Sequence, residues 1–496
     1  MQILFNTADF VLAYVLKLNV ILFMSVLIMV VLLLEEAIDR EVRKLKQDDH
    51  GHIHPEYSPP PTNNESIWDT MKQLPSQQLP SILLRWMHES GPIYRLNIGI
   101  RSMVIVSGDS ELTRKVLTDK ESTKPKPTVD VVRLFHDGGE DVFTSRGFFW
   151  KHSRKALVPA FSPKVIRSMQ AVIAAEVEKF ATTVLDKCVS TSNSFSSNDL
   201  QHVAASVICS TSLEYHLSPD EMTTLFEDLS IGRIESRKVG VPLRWKLGWF
   251  IPEVRKAREA GRRIFNLGRK MLEAYRAREC PLKGTAIDLI VNNKNYKNDK
   301  ERINDIVVLM IGGFDTTTHT LSWALLLLAK HQNEQDKLRS ALKRLPMDER
   351  LNSLELNCVI KESMRLQPAV ALGINRTTSK DFNVKKKDGL DGDLVVPKGS
   401  KVICSLMTLF RNPYIYKNPD TFDPSRWVNP SKEALDAFIP FGCGPRSCFG
   451  RGLAKANIAN VLARFVTDYK FTVDSEATPS FMISHQPNTR LFVSKA

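Results

Sequence analysis

Residues 441–450 of this 496-residue chain read Phe-Gly-Cys-Gly-Pro-Arg-Ser-Cys-Phe-Gly, and no other stretch restricts the fold as tightly. The glycines let backbone run close to something bulky. Arg446 is a permanent cation able to grip a carboxylate with two parallel hydrogen bonds. The spacing of apolar residues from Leu453 to Tyr469 predicts an amphipathic helix. Cys448 therefore stands just before a helix N-terminus, where backbone N–H groups and the helix dipole favour a thiolate. Two plainer readings compete: a buried packing cysteine, or half of a zinc site shared with Cys443. The second lacks a further Cys or His pair at finger-like spacing.

A lone thiolate of this kind suits an iron whose other ligands are not protein, as in a haem held by one Cys. A second chemical signal lies in Gly312-Gly313-Phe314-Asp315-Thr316-Thr317, inside a long apolar stretch of helical period from Ile303 to Lys330. Each glycine there costs about 1 kcal/mol of helix propensity, so something must approach the backbone closely. Asp315 and Thr316 put a carboxylate and a hydroxyl beside that gap, able to move protons to a bound species. The bland alternative is a softened core helix. Glu362 and Arg365 share one helix face at i, i+3; exposed, such a pair means little. Trp150 and Arg154 stand one turn apart, and by themselves read as a core aromatic and a solvated charge.

Taken together these segments resemble the cytochrome P450 family. Phe441, Gly444, Arg446, Cys448 and Gly450 match its haem loop, Phe-x-x-Gly-x-Arg-x-Cys-x-Gly. Gly312 to Thr317 resembles its oxygen-side helix, Glu362-x-x-Arg365 its Glu-x-x-Arg pair, and Trp150-x-x-x-Arg154 its Trp-x-x-x-Arg helix. Residues 419–427 resemble its Pro-rich meander, with Arg426 as third member of the pair and Asp420 where Glu is usual. The resemblance implies haem b with Cys448 as axial ligand of the iron. It places Trp150, Arg154 and Arg446, with Arg376, on the propionates and gives Thr316 and Asp315 the delivery of protons for O–O cleavage. Glu362, Arg365 and Arg426 become structural supports of the Cys448 loop. From family topology, Phe135, Phe143, Phe314, Val370, Ala371 and Leu372 are candidate substrate contacts, with core packing as the alternative for each.

The expected fold is mainly α with small β-sheets, since helical periods dominate and there is no βα alternation. Short strands are expected at Phe382–Lys385, Val395–Val396, Lys401–Ser405 and Phe471–Val473, and a hairpin at Tyr94–Ile98 and Met103–Val106. Residues 10–34 are long and apolar enough to cross a bilayer, interrupted by Lys17. A cleaved signal peptide lacks its basic start and small-residue cleavage site here. The domains read as a membrane anchor (1–46), a polar Pro-rich linker (47–66) and a haem-thiolate catalytic body (67–496). Arg40, Arg43, Lys44 and Lys46 follow the span, which places the body in the cytosol on a single-pass endoplasmic reticulum anchor. Seven scattered cysteines fit a reducing compartment. His50, His52 and His54 read as incidental linker residues.

A net charge of +13 favours lipid headgroups or an acidic partner. No nucleic-acid signature accompanies it. Trp245, Trp249 and Phe250 beside Arg244 and Lys246 suit a loop dipping into a membrane interface, or a buried interdomain loop. No flavin, nicotinamide or iron–sulfur motif is present, so electrons must come from elsewhere, and the resemblance implies a separate NADPH-dependent flavoprotein reductase. Lys151, Lys155, Arg451 and Lys455 are its candidate docking face. The resulting expectation is a monooxygenase that inserts one atom of O2 into an apolar, lipid-like or foreign molecule. The alternatives are a desaturase or other oxidative relative, and a non-catalytic haem-binding protein.

Overall fold

The computed structural model describes residue 60 and residues 79–98, 101–125, 135, 139–191, 194–236, 244, 248–386, 392–474, 478–480 and 486–496. The expected span at 10–34 and nearly all of the linker lie outside the described residues. No helix among the described residues is long and apolar enough to cross a membrane.

Among the described residues, eleven helices of nine residues or more build the body: α1 (Leu79–Ser90), α2 (Ser110–Thr118), α3 (Gly147–Leu157), α4 (Pro163–Phe180), α5 (Leu200–Ser212), α6 (Pro219–Ser236), α7 (Pro252–Arg276), α8 (Asp299–Lys330), α9 (Gln332–Arg344), α10 (Leu354–Leu366) and α11 (Arg451–Asp468). At 32 residues, α8 is about 48 Å long. Asn298 caps it, its side chain accepting from the Glu301 N–H, and Asp299 and Glu301 complement the dipole in the first turn. Its middle is buried on nearly every side, packed by α5, α7, α10 and α11. A helix that is apolar all round belongs in a core.

Small sheets flank the bundle. Strands β1 (Ile93–Ile98) and β2 (Arg101–Val106) form the expected hairpin, pairing Ile93 with Val106 and Ile98 with Arg101. Arg101 and Ser102, expected in the turn, are strand residues. Strands β3 (Ser194–Ser196), β4 (Ile374–Thr377), β5 (Phe382–Val384), β6 (Leu394–Val396), β7 (Lys401–Cys404), β8 (Tyr469–Thr472), β9 (Thr478–Ser480), β10 (Gln486–Asn488) and β11 (Arg490–Lys495) complete the set. The largest sheet runs β1-β2-β7-β4, with β2 and β7 parallel. The fold is thus mostly helical with small sheets, as expected.

One expectation fails in detail. The helix after the Cys448 loop is not half-exposed: from Asn457 to Val466 only Arg464 reaches solvent appreciably. It threads between α4, α8 and α9, so its polar residues Asn457 and Asn460 are buried too. A Cβ on Gly452 would lie 2.5 Å from Ile166 Cδ1, which shows how tightly α11 seats on α4.

Candidate haem site

The Cys448 loop is held by backbone geometry. The Cys448 N–H donates to the Phe441 carbonyl at 2.9 Å. Gly442 and Gly444 have φ of +69° and +72°, a region that side chains rarely tolerate. At Gly444 a Cβ would also fall 2.5 Å from the Leu117 carbonyl oxygen and 2.7 Å from Thr118 Cα at the end of α2. Gly450 has an ordinary φ of −76° and serves as N-cap of α11. Burial pushes the Cys448 thiol up, opposed by the N–H of Gly450, the guanidinium groups of Arg154 and Arg451, and the N–H of Arg451. The thiol is nonetheless exposed. A side chain surrounded by protein yet reachable by solvent is one that looks into an interior space.

Cations gather beside it. Arg446 donates through Nη2 to the Ser145 carbonyl at 2.8 Å and lies over the Trp150 ring at 3.6 Å. Arg154 donates to the Ser447 carbonyl at 2.7 Å and faces the Phe449 ring. Arg376, on β4, is buried, and its Nη1 donates to the carbonyl of Asn375 at 2.9 Å. The fourth is Lys124, whose Nζ donates to the Phe143 carbonyl at 2.7 Å and sits 3.1 Å above the Phe143 ring. No motif marks Lys124; only the fold brings it here.

Burial, then Arg376, Arg154 and Arg146, bring Arg446 down to about 10. Burial, then Arg376 and Arg446, hold Lys124 well below its ordinary value, and Asp141 only partly opposes them. Burial alone lowers Arg154 and Arg376, and a buried cluster in which cations lower Arg446 and Lys124 as well needs an anion. Among the described residues, Arg446 Nη1 is buried without a hydrogen-bond partner. Together they fit a group bearing two carboxylates, such as a porphyrin with its propionates, next to an accessible thiol. No cluster of three or more His, Cys, Asp or Glu suited to a metal occurs among the described residues.

The oxygen-side motif divides its glycines between two tasks. A Cβ on Gly313 would come within 2.5 Å of Ile208 Cγ1, so this glycine lets α5 seat against α8. A Cβ on Gly312 would meet nothing within 4 Å, and Gly312 is exposed in the middle of a buried helix. Thr316 donates to the Gly312 carbonyl at 2.9 Å, which holds its hydroxyl on that open side. Asp315 points about 100° away around the axis. Its carboxylate is buried and pairs with Arg233 of α6 at 3.3 Å, a partner that no sequence pattern indicated.

The supports form one buried knot. Arg365 donates twice to Glu362, at 2.9 and 2.8 Å, and to the carbonyls of Phe410, Pro419 and Thr421. Glu362 also accepts from Arg426 Nε at 3.4 Å, Trp427 Nε1 at 2.9 Å and the Asp423 N–H at 3.1 Å. Asp420 instead pairs with Arg411, so its substitution for Glu leaves this knot untouched.

The expected substrate contacts scatter. Phe314 is fully buried and meets Phe226 edge-on at 5.7 Å. Phe135 packs on Gly232 of α6, where a Cβ would lie 2.5 Å from its ring. Phe143 belongs with Lys124 and the cations. Ala371 is buried and Val370 and Leu372 half-buried between α10 and β4. Trp249 and Phe250 are exposed at 61% and 63%, while Trp245 and Lys246 lie outside the described residues. Arg244 is engaged by Glu235.

A mostly helical body with an accessible thiol beside a cluster of underpaired cations has the features of the haem-thiolate class. The cytochrome P450 family model matches residues 59–493, and the chain belongs to that family. It is a cytochrome P450 monooxygenase, and the family's cofactor is haem iron. Cytochrome P450 4d8 of Drosophila melanogaster is 25% identical over 74% of this chain and 86% of its own length. Cytochrome P450 4F12 of Homo sapiens is 25% identical over 75% and 76%. A zebra fish cytochrome P450 solved with abiraterone covers 84% of this chain and 100% of its own at a TM-score of 0.68 and 21% identity, a likeness of fold.

Proposed function

We propose that Cys448 is the axial ligand of a haem b whose propionates meet Arg446, Arg154, Arg376, Trp150 and Lys124, and that the enzyme oxygenates an apolar small molecule. The observation that carries this reading is the buried Nη1 of Arg446, without a hydrogen-bond partner among the described residues, in a cluster of buried cations beside an accessible thiol. When bound, the haem supplies O2 activation and oxidising power toward C–H bonds.

The chain's own residues supply geometry and protons. Gly312 keeps one side of α8 open, and Thr316 holds its hydroxyl there on the Gly312 carbonyl. Asp315 is the buried carboxylate next in line; for it to take a proton from outside, its pair with Arg233 must open. The Glu362–Arg365–Arg426 knot keeps the meander, and with it the Cys448 loop, in place.

Electrons come from an NADPH-dependent flavoprotein reductase in this reading. Lys151 and Lys155 on α3 and Arg451 and Lys455 on α11 are all exposed and offer it a basic face. The apolar span at 10–34 and the exposed Trp249–Phe250 pair support an endoplasmic reticulum membrane location and a lipid-soluble substrate. A carbon monoxide difference spectrum of the reduced protein tests the ligand: a Soret band near 450 nm is expected of a thiolate, and its loss in Cys448→His is the matching control. A wild-type protein without that band would end the reading.

A further inference from the structure

About two turns before Gly312, α8 carries a polar group that the haem reading leaves idle. Asp305 is 0% exposed. Its Oδ1 accepts the Val142 N–H at 2.6 Å and its Oδ2 accepts the Tyr296 hydroxyl. Beside it, Asn304 donates to the Glu140 carbonyl at 3.3 Å. Tyr296 is also hydrogen-bonded to Ser153 of α3 and meets Phe149 edge-on at 6.0 Å. The loop gripped in this way is short and closes on itself: Asp141 accepts from the N–H groups of Phe143 and Thr144, both at 2.7 Å. Its next carbonyls are those that hold Lys124, through Phe143, and Arg446, through Ser145.

We propose that Asp305 is a positioning residue for the haem site, clamping loop 140–145 and the start of α3 to α8 so that Lys124, Arg446 and Trp150 stand where the propionates need them. That role presupposes that these cations meet haem carboxylates, as proposed above. Asp305 itself touches neither haem nor substrate. It acts through two carbonyls and one ring.

Burial first, then Asp141 of the loop and Glu301 of the same helix, push Asp305 up to about 8, against the hydrogen bonds from Tyr296 and Val142. Burial and Asp305 push the Tyr296 hydroxyl up as well, so it stays a donor; Arg302, over its ring at 5.5 Å, opposes this. The sign follows from linkage. A carboxyl whose value is raised in the closed clamp favours closure fully at acid pH, and that favour is lost as pH rises toward about 8.

Haem transfer from the purified ferric full-length protein to excess apomyoglobin reads the clamp. Asp305→Leu, which strands the Val142 N–H, is expected to speed transfer at least about tenfold. Asp305→Asn keeps one acceptor and is expected to cost about two- to threefold, and Tyr296→Phe about the same. The ratio of the wild-type rate to that of Asp305→Asn should climb from pH 6 to pH 8 and level above about 8. In parallel, hydrogen exchange at the Val142 amide, with or without haem, should be fast in Asp305→Leu and slow in the wild type. Should Asp305→Leu fail to accumulate, Asp305→Asn and Tyr296→Phe still decide. Transfer within about twofold of wild type in every variant, with a flat pH ratio and a protected Val142 amide, would overturn the clamp. A wild type that takes up no haem sinks the haem reading, and the exchange at Val142 then judges the clamp alone.

Discussion

At the scale of single residues, each group in the site is placed by one or two contacts, so single substitutions are informative. Thr316 is held on the Gly312 carbonyl by its hydroxyl alone. Thr316→Ala keeps the helix and removes the proposed proton donor, so product formed per NADPH consumed should fall at least about threefold, with hydrogen peroxide making up the difference. Unchanged coupling, measured with any turned-over substrate, would remove Thr316 from proton delivery. Arg446→Leu takes away a cation already brought down to about 10 by burial and then by its cationic neighbours. The protein should then fold with its thiol intact but lose haem at least about tenfold faster, a change read by the same transfer assay.

At the scale of elements, the proposed supports of the Cys448 loop lie far from it in sequence. Glu362 and Arg365 are both 0% exposed. Glu362→Ala leaves a buried guanidinium without its carboxylate, a change worth about 3–5 kcal/mol. Urea unfolding should show a midpoint lowered accordingly, and Glu362→Gln should recover part of it. Gly444→Ala places a Cβ against the Leu117 carbonyl in a residue whose φ is +72°. The backbone conformation alone costs about 1–3 kcal/mol. Low haem content with an otherwise normal helical circular dichroism spectrum is the expected result. The Gly312–Gly313 pair shows where sequence reasoning stops: the glycines mark a close approach, but only the packed helices reveal that Ile208 fills one side and nothing fills the other. The α11 helix teaches the same lesson in reverse. Its apolar period says that it buries a face, and neighbours on several sides then bury the rest.

For the whole molecule, the exposed cations of α3 and α11 bracket the Cys448 loop, while the exposed aromatic pair Trp249 and Phe250 stands at the start of α7. Charge steering is long-range and screened by salt. Lys151→Gln with Lys455→Gln should therefore slow reduction by the flavoprotein several-fold at about 20 mM salt and little at about 500 mM, where the Debye length is only a few ångströms. Equal slowing at both salt levels would argue against a docking face there.

By itself the sequence determined the family, the helical character and the chemistry-bearing segments, because each rests on local facts: residue types at fixed spacing, apolar period and backbone freedom. Cys448, Thr316, Arg446 and the Glu362–Arg365 pair were legible for that reason. Only the tertiary structure decided which charges meet. Lys124, Arg233, Tyr296 and Asp305 carry no local signature, and they act on partners up to 163 residues away. Burial is what gives those encounters their force, since a charge or carboxyl is perturbed strongly only after chain folding has removed its water.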